Sequence, residues 1–563
     1  MKKSKYYIFM VLSMIVVMTL SACSSDSSGS SDKKNSGNGE ASGEQVLNLI
    51  EVAEIPTGDP SLATDAASFV VFGQTMEGLY AIGEDGTPVP AISDGEPDVS
   101  ENGKVYNFKL REDVEWANGD PVTANDFVYS WQRAVDPNTG SQYAYMFSGI
   151  IENATEIMEG DKKPEDLKIK AVDDYTLKVT LERPVEYFDS LLAFGTYLPL
   201  NEEFVEEKGE AFGTNSDNML ANGPFKLTEW DGSGLTWKYV KNDNYYDKDS
   251  VQLDEVNVQV SKEPSTAVNL FETDEVDRTA ELSAEYAQQY QNDENASTFK
   301  EGSTFFLKFN QQRDGKDTPM ANKNIRKALS MAFDKEAYAE TVLANGSVPI
   351  GGLIPNGLVK NPDTDEDFRE ENGNLMDYNV EKAKEYWQKG LEELGVDEIT
   401  LELLNDDKEN AKKTSEYFQN QLQSNLDGLT VEVTNVPFKV LLQESKSQNY
   451  DMVITGWGPD YMDPMTFLDL FVSDGAGGHA SDTSYSNAKY DELIDDAKVK
   501  YANDPANRWK TMLEAEKLLI EEDAVIAPIY QRGRLILIKP SVKNLKEHLF
   551  GPTYLLKNVY MED

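Results

Sequence analysis

Residues 110–137 read LREDVEWANGDPVTANDFVYSWQRAVDP, and the periodicity of the chain changes in the middle of that stretch. The approach to it, Val105-Tyr106-Asn107-Phe108-Lys109-Leu110, has the period-two alternation of a strand. ANGDP (117–121) then punctuates the chain with residues that turns favour. From 124 to 134 the apolar positions recur at helical spacing. Strand, turn and helix follow one another within a single short segment, and the rest of the chain repeats the mixture. A second alternating run lies at 176–181, and ANGP (221–224) marks another turn. Helical periodicity returns at 325–344, 380–394, 490–501 and 508–521, with Asn379 and Asp504-Pro505 as cap and start signals. Apolar strands at 399–404, 430–436 and 452–455 alternate with these later helices, which predicts βαβ units and an open mixed sheet in the second half. No internal repeat is evident.

The first residues place the protein outside the cytoplasm. Lys2, Lys3 and Lys5 precede an uncharged, mostly apolar run at 6–20, and Leu20-Ser21-Ala22-Cys23 follows. Small residues before a cysteine suit a signal peptidase and are of no use to a retained helix; a short membrane anchor is the alternative. The stretch resembles the lipobox of bacterial lipoproteins, which makes 1–22 a signal peptide and Cys23 the lipidated residue. Cys23 is the only cysteine, so no intrachain disulfide exists. Twelve of the twenty residues at 24–43 are Ser or Gly, too little apolar surface to offset the entropy of ordering. This tether (23–43, counting the cysteine) spans roughly 25 Å root-mean-square and predicts a globular body hung from lipid chains.

About 520 of the 563 residues remain for that body, enough for several domains. The chain carries 100 Asp and Glu against 52 Lys and Arg, a net charge of −48. Phosphate binding needs clustered positive charge, so a nucleic-acid partner is excluded. A body lying flat on anionic lipid is disfavoured for the same reason, and such charge keeps a secreted body soluble.

Covalent chemistry finds few candidates. The two histidines, His479 and His548, have no flanking nucleophile motif. GAGG (475–478) lacks the strand-to-helix frame of a dinucleotide loop, and no phosphate-cradling GxxxxGK occurs. Zinc lacks its usual ligands. Asp243, Asp247 and Asp249 do not have the spacing of a calcium loop and read as a solvated acidic turn. The expectation is no catalytic residue, no metal and no cofactor.

Binding chemistry is better provided. In YDMVITGWGPDYMDP (450–464) an apolar strand runs into glycines, Trp457 and an acid, Asp460. An extended peptide needs main-chain pairing, apolar walls and a fixed anion for its α-ammonium, and this stretch offers all three. The alternative is an Asx turn in which Asp460 caps local N–H groups, and on local chemistry alone that reading takes precedence.

The segment at 110–137 also resembles the signature of the family-5 extracytoplasmic solute-binding proteins, the receptors of peptide, nickel and related importers. The likeness continues through DLKIKAVDDYTLKVTLERPVEYF (166–188), NGPFKLTEW (222–230), NKNIRKALSMAFDK (322–335) and GWGPDYMDPMTFLDLF (456–471), and covers the body from about Leu47 onward. DPNTGSQYA (136–144) and GWGPDY are most similar to the branch of Gram-positive lipoproteins that bind oligopeptides. The resemblance implies an α/β, two-lobed, periplasmic-binding-protein-like clamp of class II type, with mixed sheets, a hinge and three domains. Domain I would comprise 44–80, 221–308 and 526–563, domain II 81–220, and domain III, the second lobe, 309–525. It further implies that Asp460 pairs with the peptide amino terminus, Gly456 bonds its backbone, Trp457 and Phe438 wall side-chain pockets, and Tyr143 faces the ligand. Ala66 to Ser68 match a strand that pairs with the peptide from the opposite lobe. Ile454 and the neighbourhood of Ala411 stand where enteric relatives carry basic residues for the peptide carboxylate, so no carboxylate anchor carries over. The function implied is that of a monomeric, lipid-anchored receptor on the outer face of the cell membrane. It would perform no reaction and would hand oligopeptides to the membrane permease subunits of an ABC importer. A receptor for a peptide pheromone, a dipeptide or another cationic solute is the nearest alternative, and a secreted hydrolase a remote one.

Overall fold

The computed structural model describes residues 45–100, 102–473 and 482–562. The signal peptide, Cys23, the tether and His479 with its GAGG stretch lie outside the described residues.

The quoted segment folds as its periodicity predicts. Val105–Lys109 is the second strand of a four-stranded sheet, ordered Asp98–Val99, Val105–Lys109, Thr176–Thr180, Ile169–Asp173. The ANGDP turn closes with Gly119 at φ +92°, its N–H donating to the Trp116 carbonyl. The helix Ala124–Val135 starts where Thr123 donates its backbone N–H to the Asp126 carboxylate at 2.6 Å. Such a first-turn reciprocal bond occupies N–H groups that have no intrahelical partner. Phe127, Trp131 and Ala134, at i, i+4 and i+7, are all fully buried on one face. The Trp131 indole N–H donates to the Tyr197 carbonyl at 2.9 Å, so the polar handle of that ring is satisfied inside the core.

A second four-stranded sheet begins at the N-terminus. Val46–Glu51 pairs in parallel with Glu255–Val260, which continues antiparallel through Thr236–Lys241 to Phe225–Thr228. The first strand of the body therefore has its partner more than two hundred residues away. Between them sits the whole sheet of the quoted segment, an insertion in sequence.

The third sheet has six strands, in the order Val348–Pro349, Ile526–Leu537, Ala296–Phe309, Met452–Trp457, Ile399–Asp406, Leu429–Val436. Its last three strands are parallel and are joined by the helices Glu409–Asn425 and Phe438–Lys446, the βαβ units expected. Two long antiparallel strands, Ala296–Phe309 and Ile526–Leu537, tie this sheet to the rest, with register shifts between Lys300 and Thr304 and between Phe305 and Phe306. Bulges bend a strand and raise its twist, so these two strands form a bent ribbon. Glu547, its side chain 1% exposed, holds that ribbon's base by accepting from Arg278 and Arg534, each at 2.7 Å. The assembly is an α/β clamp of several domains with mixed sheets.

Three local expectations are corrected. The periodicity at 325–344 is one helix in the sequence reading but breaks into Lys323–Met331, Lys335–Tyr338 and the wider turn Ala339–Leu343. The break comes where Asp334 accepts from the Ala337 N–H at 3.0 Å and caps a new start. The helices Glu409–Asn425 and Phe438–Lys446 went unread, because ENAKKTSEYFQNQLQSN is too polar to show a stripe. Ala66 to Ser68 form no strand: they open the helix Ala66–Thr75, capped by Asp65, whose carboxylate accepts from the Ser68 N–H at 2.9 Å and its hydroxyl at 3.0 Å. The aspartate immediately ahead of the matched segment overrides the extended conformation that the resemblance implies.

Candidate ligand-binding site

A cavity of about 780 Å³ lies where these pieces meet, within the usual range for small-ligand sites. One wall comes from the helix Ala66–Thr75 through Asp65, Ala66 and Phe69, and another from Tyr143 and Phe194 of the inserted segment. The third is the strand end Gly456, Trp457, Gly458, Pro459 and Asp460. Phe69, Tyr143 and Phe194 form a mutually packed aromatic surface, with ring centroids 4.8 to 5.8 Å apart.

The strand end owes its position to the six-stranded sheet. Met452–Trp457 pairs along its full length with Thr304–Phe309, but its ladder with Ile399–Asp406 stops at Val453. Among the described residues Ile454, Thr455 and Gly456 therefore have a strand partner on one side only, an arrangement that can accept an added strand. Gly456 is also required by packing. A Cβ there would stand 2.9 Å from the ring of Phe305, which is stacked on Tyr530 at 4.8 Å.

Asp460 closes the cavity. Its backbone N–H donates to the Thr466 hydroxyl at 3.0 Å, and its carboxylate accepts from the Tyr145 hydroxyl at 3.0 Å. The carboxylate caps no local backbone N–H in the described hydrogen bonds, unlike the neighbouring Asp463, which accepts from the Met465 N–H at 2.9 Å. Loss of water around Asp460 pushes its pKa up from 3.8 to about 6, with the Tyr145 bond working the other way. Among the described residues no cation pairs with it. Tyr143 is likewise pushed up to about 12 by burial, with the Asp460 charge adding to the effect.

Contacts between the inserted segment and the strand-end region hold this side of the cavity shut. Tyr187 stacks on Tyr461 at 4.2 Å, and the Met462 N–H donates to the Ser190 hydroxyl at 3.3 Å. Arg508 grips Asp463 with two bonds of 2.7 Å while reaching Glu186 at 3.2 Å.

The structure thus brings Asp460, Trp457, Gly456, Tyr143 and Ala66 to one cavity. Ser68 is fully buried behind the helix start and Phe438 is 54% exposed with Lys408 5.5 Å from its ring; neither lines the cavity. Phe438 begins a surface helix after Pro437, so its ring follows that helix outward. Residues missed by sequence reasoning include Tyr145, Phe69, Phe194, Glu77 and Lys557, while Asp247, read as part of a solvated acidic turn, lines the cavity and pairs with Lys557. The Tyr-Ala-Tyr spacing at 143–145 was the one available signal, since a tight turn over Gln142–Met146 sets the two rings 5.6 Å apart. Among the described residues no three His, Cys, Asp or Glu side chains gather as a metal site, and no helix is long and apolar enough to cross a membrane.

Comparison with known proteins gives consistent matches. The family model for bacterial extracellular solute-binding proteins, family 5, matches residues 87–479. A dipeptide-binding protein of Lactococcus lactis subsp. cremoris is 34% identical over 519 residues, 90% of this chain and 93% of the relative. The structure of Listeria monocytogenes OppA bound to peptide superposes with a TM-score of 0.77 at 53% identity, over 93% of this chain and all of that one. The pheromone receptor PrgZ, solved with its mode of peptide binding, superposes at 0.77 and 37% identity, over 92% of this chain and all of that one.

Proposed function

Because the chain belongs to the family-5 bacterial extracellular solute-binding proteins, we propose that it is an extracytoplasmic receptor that closes around oligopeptides and delivers them to an ABC-type permease. The observation that carries this reading is Asp460, a partly desolvated carboxylate in the cavity beside a half-open sheet edge, with no cation against it among the described residues. A peptide supplies what is missing. Its α-ammonium, largely charged at pH 7, meets Asp460, and its backbone extends the edge at Gly456. Its side chains lie against Trp457 and the Phe69–Tyr143–Phe194 surface, with Ala66 opposite. The likeness to a peptide-bound relative at 53% identity supports the same assignment.

In this reading domain I is 44–80, 221–308 and 526–563, domain II is 81–220 and domain III is 309–525, with the bulged ribbon as the hinge. Closure is a population shift stabilised by contacts made only in the closed form. Cys23 carries the lipid, the receptor is monomeric, and it performs no reaction. A peptide pheromone is the second candidate occupant, supported by the likeness to PrgZ. Native mass spectrometry of the purified body, followed by competition with a defined peptide library, tests the proposal. Co-purified mixed peptides are expected; binding of no peptide, or turnover of one, overturns it.

A further inference from the structure

The cavity's charge goes beyond a single anchor for an amino terminus. Five carboxylates line it, on Asp65, Glu77, Glu84, Asp247 and Asp460, against one cation among the described lining residues, Lys557. Two of the five are spent elsewhere: Asp65 caps its helix, and Glu84 sits at the exposed rim with Lys546 at 3.3 Å. Lys557 is shared between two of the others. Its ammonium lies 2.9 Å from Asp247 and 3.8 Å from Glu77, above the rings of Tyr245 and Tyr246. Glu77 is only 7% exposed. One of its oxygens, Oε1, accepts from the Tyr245 hydroxyl, while Oε2 is buried with no hydrogen-bond partner. The next cation, Arg111, stacks on Tyr246 at 4.3 Å but is engaged by Asp113 at 2.9 Å. A single ammonium thus faces two carboxylates, and the cluster keeps a net negative charge on the cavity wall. A second cation there would gain from that charge, whereas a ligand carboxylate would be repelled.

Resting on the peptide-receptor reading, we propose that this cavity selects cationic peptides, receiving a lysine or arginine side chain at the Glu77–Asp247–Lys557 cluster while Asp460 holds the amino terminus. Among the described lining residues no free cation remains to seat the peptide carboxylate.

Calorimetric titration of alanine-based hexapeptides with one Lys, Gln or Glu at each internal position tests this. At one position or more, Lys should bind about tenfold tighter than Gln, and Glu weaker still. Asp247→Asn should bring the Lys-to-Gln affinity ratio toward one, and Lys557→Gln should widen it. Each ratio is taken within one variant, so it does not depend on the fraction correctly folded. Tight binding of Gln peptides with ratios near one at every position overturns this inference and leaves the receptor reading standing. A wild-type preference for Lys that Asp247→Asn does not diminish overturns the assignment to the cluster. Failure of every peptide to bind removes both.

Discussion

Replacing Asp460 by Asn removes one charge and keeps the side chain's shape and its acceptor for Tyr145. In the closed cavity, loss of water raises the carboxyl from 3.8 to about 6. That places the cost of this half-buried charge, unpaired among the described residues, at about 2–3 kcal/mol, since one pH unit is worth 1.36 kcal/mol. A peptide ammonium supplies the missing counter-charge, and a charge-assisted bond in such surroundings is strong. Truncating one partner of a buried pair costs roughly 2–5 kcal/mol, so Asp460→Asn should weaken free-amine peptides by roughly 30- to several-thousand-fold at pH 7. Calorimetry on both proteins with a hexapeptide and its N-acetylated form completes a cycle. The acetylated peptide should bind poorly to the wild type and lose little more on the variant. Near-normal affinity of Asp460→Asn for the free amine, or an equal loss for both peptides, would refute the ammonium pairing.

Four further outcomes are expected. With the carboxyl raised in the closed, empty cavity and ordinary when open to water, closing takes up a proton. The empty closed form is then favoured below about pH 6 and loses that advantage as pH rises through it, a shift of up to about tenfold between pH 5 and 7. Small-angle scattering without peptide should show compaction on acidification, and a pH-independent radius, or the same response in Asp460→Asn, would count against this. Glu186→Gln weakens one contact between the inserted segment and the strand-end region, while Arg508 keeps its grip on Asp463; the closed form should lose about threefold, read as faster peptide release in stopped flow. Gly456→Val puts side-chain atoms into the Phe305 ring, which its stacking on Tyr530 holds in place. It should destabilise the body by about 1–3 kcal/mol in denaturant titration, and an unchanged midpoint would show that the ring yields. Trp131→Ala empties the centre of the inserted segment's core and should cost about 3–5 kcal/mol, provided the variant is soluble enough to melt reversibly.

Elements with local punctuation were legible in the chain. The helix Val380–Leu394 falls where the sequence puts it because Asn379 accepts from the Lys382 N–H at one end and Gly395 takes a left-handed turn at the other. The strand read at 452–455 was legible too, and it runs two residues further, to Trp457. What failed were elements whose neighbours decide them. Glu409–Asn425 is mostly polar, and its fully buried Phe418 and Leu422 find their partners in strands that only the fold supplies. Ala66 to Ser68 looked extended by likeness, yet Asp65 turns them into a helix start.

The sequence by itself determined an acidic chain of mixed strands and helices with an acid following a strand, because periodicity, caps and charge are properties of neighbouring residues; that the acid serves binding was implied only by resemblance to a family. Only the tertiary structure decided that Tyr145 meets Asp460 across 315 positions of chain, and that Glu77, Asp247 and Lys557 share one wall. The first arises because the segment inserted after the first strand packs against a strand end contributed hundreds of residues later, and the second because three pieces of chain far apart in sequence meet at Lys557. Cavity chemistry of that kind depends on which distant side chains lose water together, and local order carries no record of it.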